Sequence, residues 1–178
     1  MQVKKTNIEG LIIIAPVVFQ DDRGKFLETF NRDVFEKNGL PTHFAQDNCS
    51  ISKKHVVRGL HFQKSPYAQG KLVSVAQGAV LDVAVDLRKN SPTYGKWKSV
   101  LLNSDNKLML WIPESFAHGF IALEDNTVFQ YKCTNVYHRE SEGSIRWNDP
   151  DLNIDWGVAH PILSEKDAAA PLFRSYEL

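Results

Sequence analysis

Cysteine is scarce in this chain: Cys49 and Cys133 are the only two among 178 residues, and neither belongs to a CxxC pair. That sets the chain apart from zinc knuckles and disulfide-stapled scaffolds, and suits a reducing compartment in which both thiols act as buried fillers. Net charge is missing as well, because 21 Lys and Arg balance 21 Asp and Glu. No field of one sign is left to draw the chain to nucleic acid or a membrane surface, so an anionic ligand has to be held by a local cluster. The run LIIIAPVVF (11–19) is too short and too interrupted by proline to span a bilayer, and no basic segment leads into a signal-peptide core. The expectation is a soluble, cytoplasmic protein that engages neither membrane nor nucleic acid. Glycine-rich phosphate loops of the GxGxxG or GxxxxGKS/T kind are absent. Side chains must then bind any phosphate, with Arg23, Arg58, Lys71 and Lys166 as candidates. His-x-His is absent too: position 63 is Gln and the other histidines are scattered singly, so no metal site is expected.

What the chain does have is strand pattern. Its length suffices to bury about two thirds of the unfolded surface around one core, so a single domain over 1–178 is expected. Leu11–Phe19 reads as a strand broken at Pro16. KFLETF (25–30) alternates, with Phe26, Glu28 and Phe30 on one face. KLVSV (71–75) and AVLDVAVDL (79–87) are joined by Ala76, Gln77 and Gly78, a connection typical of a hairpin. On the second of these, Leu81, Val83, Val85 and Leu87 share one face; Val80, Asp82, Ala84 and Asp86 take the other, which should meet solvent or a polar cavity. WKSVLL, KLMLWIP, GFIALE, TVFQYKCTNVY and SIRW continue the series. HFAQDNCSIS (43–52) favours a loop or solvated strand, 31–38 a short helix closed by Gly39, and LSEKDAAAP one helical turn. About ten short strands at this spacing predict an all-β jelly roll, two facing antiparallel sheets whose mouth can hold a ligand.

Chemistry-bearing residues gather between Val56 and Arg88, where Arg58, His61, Lys71 and Asp82 lie on neighbouring segments. In a regular strand Arg58 and His61 would point to opposite faces, but Gly59 permits a bulge that turns both into one cavity. Spacing alone also makes Asp82 a partner for His61. Each residue has an ordinary structural explanation beside the chemical one. A strand histidine is commonly a hydrogen-bonded core residue, and Tyr131, on the face of Phe129 and Cys133, reads as a core aromatic. Asp167 follows Ser164 at helix-capping distance, and a glutamate between two phenylalanines suits an exposed edge.

Taken in order, the motifs RGLHFQ, AQGKLV, DVAVDLR, SPTYGKW, WIPESFAHGF, YKCT, IRWNDP and LSEKD resemble those of the dTDP-4-dehydrorhamnose 3,5-epimerases over about residues 8–171. The resemblance implies a cupin-type jelly roll, working as a homodimer without metal or organic cofactor. It would invert C3 and C5 of a dTDP-4-keto-6-deoxy sugar, dTDP-4-dehydro-6-deoxy-D-glucose, giving dTDP-4-dehydro-L-rhamnose. By the same resemblance His61 is the base, Asp167 its paired carboxylate, Tyr131 the acid on the opposite face of the sugar, and Lys71 the cation beside the C4 oxygen. Arg23, Phe26, Glu28, Gln46, Asn48, Arg58, His118, Glu142 and Lys166 fall where the family contacts the nucleotide sugar. Asp82 thereby yields its partner role to Asp167. Three alternatives stay open: inversion at one carbon or keto-isomerisation on the same scaffold, a non-catalytic carbohydrate-binding jelly roll, and a metal-dependent cupin, the last disfavoured by Gln63.

Overall fold

Alternating segments pair into two antiparallel sheets in the computed structural model, which describes residues 1–175. The end of the expected 1–178 domain, 176–178, lies outside the described residues. One sheet has six strands in the order β1 (Gln2–Lys5), β2 (Ile12–Ala15), β10 (Met109–Ile112), β7 (Lys71–Gln77), β12 (Thr127–Cys133), β5 (Gln46–Ser52). The other has five: β13 (Glu142–Ser144), β6 (Val57–Gln63), β11 (Phe116–Ala122), β8 (Ala79–Asp86), β9 (Trp97–Asn103). A hairpin of β3 (Val18–Asp21) and β4 (Gly24–Leu27) belongs to neither. The all-β sandwich expected from the strand pattern is therefore present.

Val73, Val75 and Phe129 from the six-stranded sheet meet Val80, Ala84, Phe116 and Phe120 from the five-stranded one in the central core. This corrects the solvent alternative for β8: its Asp82 face lies inside the sandwich, where Asp82 meets His118 at the wall of a cavity. The opposite face, with Val83, Val85 and Leu87, is covered by Leu152, Ile154 and Trp156 from the C-terminal segment. Strand periodicity tells which side chains share a face, not what is laid over it. A second correction concerns β7 and β8, which are not a hairpin. Their connection carries the chain from one sheet to the other, turning at Gly78 (φ +79°), where a Cβ would come within 2.5 Å of the Thr127 hydroxyl.

Helix α1 (Arg32–Lys37) starts at Asn31, whose side chain accepts from the Asp33 and Val34 amides, and it lays Phe35 over Leu72, Met109 and Trp111 on the outer face of the six-stranded sheet. Helix α2 (Glu165–Ala168) is the single turn expected near the C-terminus, with Ser164 accepting from the Asp167 amide. HFAQDNCSIS yields β5, while β4 ends at Leu27, so Glu28 lies beyond the strand. Cys133 is buried, but Cys49 is exposed and is not a filler.

The feature that shapes the site is the register of β6 on β11. His61 pairs with His118 and Arg58 with Phe120, so three steps along β6 match two along β11. The extra residue is accommodated at Gly59, with φ +140°, where a Cβ would sit 2.5 Å from the Gly119 Cα. Only glycine fits so close to a neighbouring backbone in that conformation. The expected bulge is there, and with it Arg58 and His61 open onto the same cavity.

Candidate active site

Two cavities meet at His61, Lys71 and Tyr131, which line both. The larger, about 480 Å³, adds Arg58, His118, Lys166 and Asp167. The smaller, about 310 Å³, adds Gln46, Asn48, Gln69, Tyr137 and Glu142. His61 projects from β6 in one sheet, whereas Lys71 and Tyr131 project from β7 and β12 in the other. A molecule between them thus has an imidazole on one side and a phenol and an amine on the other.

His61 Nε2 lies 2.5 Å from Asp167 Oδ1. The sequence pattern around Asp167 proves to serve two ends: its backbone N–H is capped by Ser164 at 3.1 Å, which leaves its carboxylate free for the imidazole. Burial alone would raise the Asp167 carboxyl, but the hydrogen bond and charge of His61 outweigh it and hold the group below its usual range. A carboxylate on one ring nitrogen fixes the tautomer and leaves the other nitrogen for substrate.

Lys71 is only 8 % exposed. Burial pulls its ammonium down from the ordinary lysine range, opposed by the charges of Asp82 and Glu142. Its Nζ donates to the His61 carbonyl at 3.4 Å. Burial pushes Tyr131 above the usual phenol value, so it keeps its proton at neutral pH.

Around these groups the smaller cavity is lined by ordered amides and one acid. Gln46 donates to Asn48 at 2.9 Å and accepts from the Tyr137 amide at 2.7 Å. Glu142 accepts from the Tyr137 hydroxyl at 3.0 Å and pairs with Lys166 at 2.5 Å. Arg58 donates to Ser52 at 3.1 Å. Sequence reasoning missed Tyr137: TVFQYKCTNVY reads as one strand that ends on it, whereas β12 stops at Cys133 and leaves it in a loop. Gln63, where a metal-binding cupin would carry histidine, has its amide used up tethering loops: it donates to the Tyr67 and Val136 carbonyls and accepts from the His138 amide. Among the described residues no three His, Cys, Asp or Glu side chains are grouped to hold a metal ion, and no helix is long and apolar enough to cross a membrane.

Three expected residues are not brought to these cavities. Arg23 sits at the tip of the β3–β4 hairpin, paired with Asp21 at 2.6 Å and with its side chain 90 % exposed. Phe26, on β4, is 69 % exposed and packs against Phe19. Glu28 accepts from Asn31 at 3.2 Å.

Comparison with known proteins accounts for this arrangement. The sequence model of the dTDP-4-dehydrorhamnose 3,5-epimerase family matches residues 5–175. A dTDP-4-dehydrorhamnose 3,5-epimerase of Escherichia coli K12 is 56 % identical over 169 residues, covering 94 % of this chain and 91 % of that protein. The crystal structure of an enzyme from Legionella pneumophila, described as dTDP-6-deoxy-D-glucose-3,5-epimerase in complex with dTDP-4-keto-L-rhamnose, superposes with a TM-score of 0.94 at 49 % identity, covering 99 % of this chain and 94 % of that one. A Bacillus anthracis dTDP-4-dehydrorhamnose 3,5-epimerase with TDP and PPi bound gives a TM-score of 0.95 at 45 % identity, over 97 % and 99 % of the two chains. With sequence and fold in agreement, the chain belongs to the dTDP-4-dehydrorhamnose 3,5-epimerase family, cupin-type isomerases of dTDP-sugars.

Proposed function

We propose that the chain converts dTDP-4-dehydro-6-deoxy-D-glucose to dTDP-4-dehydro-L-rhamnose, with His61 and Tyr131 as opposed base and acid. The observation that carries this is their placement on facing sheets across cavities that also hold Lys71. Hydrogens beside a ketone are weakly acidic, and inversion means taking a proton from one face of a carbon and returning one to the other. His61, oriented by Asp167, takes the proton from C5 or C3; the C–H electron pair forms a C=C bond to C4, and the carbonyl pair moves onto the C4 oxygen. Lys71 stabilises that enolate charge, which is larger in the transition state than in the ketone. Tyr131 then delivers its proton to the opposite face as the C4 carbonyl re-forms; His61 releases its proton to solvent and Tyr131 recovers one, so both are reset for the second carbon. Because C3 and C5 both flank C4, one cation serves both inversions.

Arg58 and Lys166 supply the positive charge for a diphosphate, with Gln46, Asn48 and Glu142 meeting the sugar hydroxyls. The two unpaired cysteines suit a cytoplasmic enzyme. In deuterated water, product should carry label at both C3 and C5. Label at one carbon alone would reduce the activity to single-site epimerisation, and unlabelled, unconverted sugar would leave a binding module.

A homodimer completes the site in this reading, the β3–β4 arm of one protomer bringing Arg23 and Phe26 to its partner's cavity. The support is that the arm joins neither sheet and displays an aromatic side chain to solvent. Mixing His61→Asn protein with an Arg23→Ala/Phe26→Ala variant tests it: random pairing leaves about one quarter of sites intact, so activity should rise well above the sum of the parents. No gain on mixing means that each chain works alone.

A further inference from the structure

Asp82 and His118 form a second buried carboxylate–imidazole pair that the acid/base chemistry leaves unused. His118 Nε2 lies 2.8 Å from Asp82 Oδ2. Asp82 is fully buried and His118 is 7 % exposed, stacked on Phe129 at 6.0 Å. The second oxygen of Asp82, Oδ1, is buried without a hydrogen-bond partner among the described residues. A buried carboxylate oxygen left in this way is costly unless a positive charge lies near it. His118 does not supply that charge. Burial takes its imidazole below the ordinary range against the pull of Asp82, and the charges of Lys71 and His61 lower it further, so it donates to Asp82 as a neutral ring.

Three cations share the cavity with His118: Arg58, which donates to Ser52, Lys166, which pairs with Glu142, and buried Lys71, which reaches it from the facing sheet. The titratable groups of Cys133 on β12, Asp82 on β8 and Glu142 on β13 bear on Lys71, as Lys71 does on His118 of β11, and Arg58, His61, Tyr131, Lys166 and Asp167 line the same cavity; Asp82 lies beyond ion-pair contact with the ammonium. His61 is engaged by Asp167, and Glu142 is engaged by Lys166 and Tyr137. Burial pushes both the Tyr131 phenol and the Cys133 thiol up, so neither is anionic at neutral pH. That leaves Asp82 as the carboxyl group with an unengaged oxygen.

We infer that Asp82, held in place by His118, is the counter-charge that keeps buried Lys71 an ammonium ion, which makes Asp82 a positioning residue for the group that stabilises the enolate. The inference rests on the reading of Lys71 given above. It also explains why an amine can be placed in so dry a site without losing its proton and its use as an electrophile.

The test reads Lys71 directly. In protein carrying nitrogen-15 lysine, the Lys71 Nζ resonance is assigned by its loss in Lys71→Arg and titrated without substrate. Asp82→Asn should move that titration down by about one pH unit or more. The basic limb of the kcat/KM profile should move with it, because deprotonation now begins at lower pH. On the basic limb, at pH above both midpoints, kcat should fall about tenfold, the ratio carried by one pH unit, with KM little changed. Asp82→Glu, which restores the charge, should recover most of both shifts. An unmoved titration in Asp82→Asn, or equal shifts in the Asn and Glu variants, overturns the inference. Should Asp82→Asn fail to fold, the unsubstituted protein still answers: the Asp82 carboxyl carbon must report the loss of the Lys71 proton, and a carbon shift flat across that titration overturns it equally. Since the lysine titration needs no turnover, it holds or fails separately from the assignment of His61 as base.

Discussion

His61→Asn is expected to lower kcat about 10³-fold, within the range that a positioned general base contributes. Asparagine keeps a polar group near Asp167, so the buried carboxylate is not left facing an apolar side chain, yet it has no nitrogen able to accept a proton from carbon. Binding of dTDP should stay within about threefold, because the cations Arg58 and Lys166, which line the larger cavity and are proposed for the diphosphate, are untouched. The decisive measurement is isotope exchange rather than turnover alone: deuterium uptake at C3 and at C5 should fall together, since one imidazole lies between the two cavities. A variant within tenfold of the unsubstituted rate removes His61 from the role of base. Loss of exchange at one carbon only would require a second base for the other.

Much of this site could be read from the chain because its residues lie in dense, ordered motifs. RGLHFQ, AQGKLV and LSEKD fix His61, Lys71 and Asp167 by position. Local rules added the Gly59 bulge and the Ser164 cap, and both proved to aim functional side chains, since each depends on a few adjacent residues. Non-local facts were harder. Alternation put Asp82 on one face with Val80 and Ala84 but could not tell that the six-stranded sheet lies against that face. The glycine-containing link after β7 looked like a hairpin because turn chemistry is the same whether a chain returns to its own sheet or crosses to another. Tyr137 went unnoticed because a loop tyrosine has no periodicity to mark it; only the meeting of its hydroxyl with Glu142 gives it a place. Arg23 and Phe26 lie away from the cavities because the β3–β4 hairpin joins neither sheet, and strand alternation does not encode where a detached hairpin is placed.

Tyr131→Phe separates proton removal from inversion. The phenol lies on the sheet facing His61, and its raised pKa keeps it protonated throughout the neutral range, so it is a donor and not a second base. Phenylalanine fills the same volume beside Phe129 and costs little in stability. Without the hydroxyl, the enolate can still form at His61 and be stabilised at Lys71, but the proton that returns comes from the imidazole, on the face it left. Inversion should therefore fall about 10²-fold, while deuterium exchange into unconverted substrate falls by no more than about tenfold. That divergence is the signature of two groups acting on opposite faces. If exchange and inversion decline by the same factor, Tyr131 supports the enolate rather than protonating it. If neither changes, the proton comes from water or from another side chain on that wall, and Tyr137, on the neighbouring loop, is the next phenol to replace.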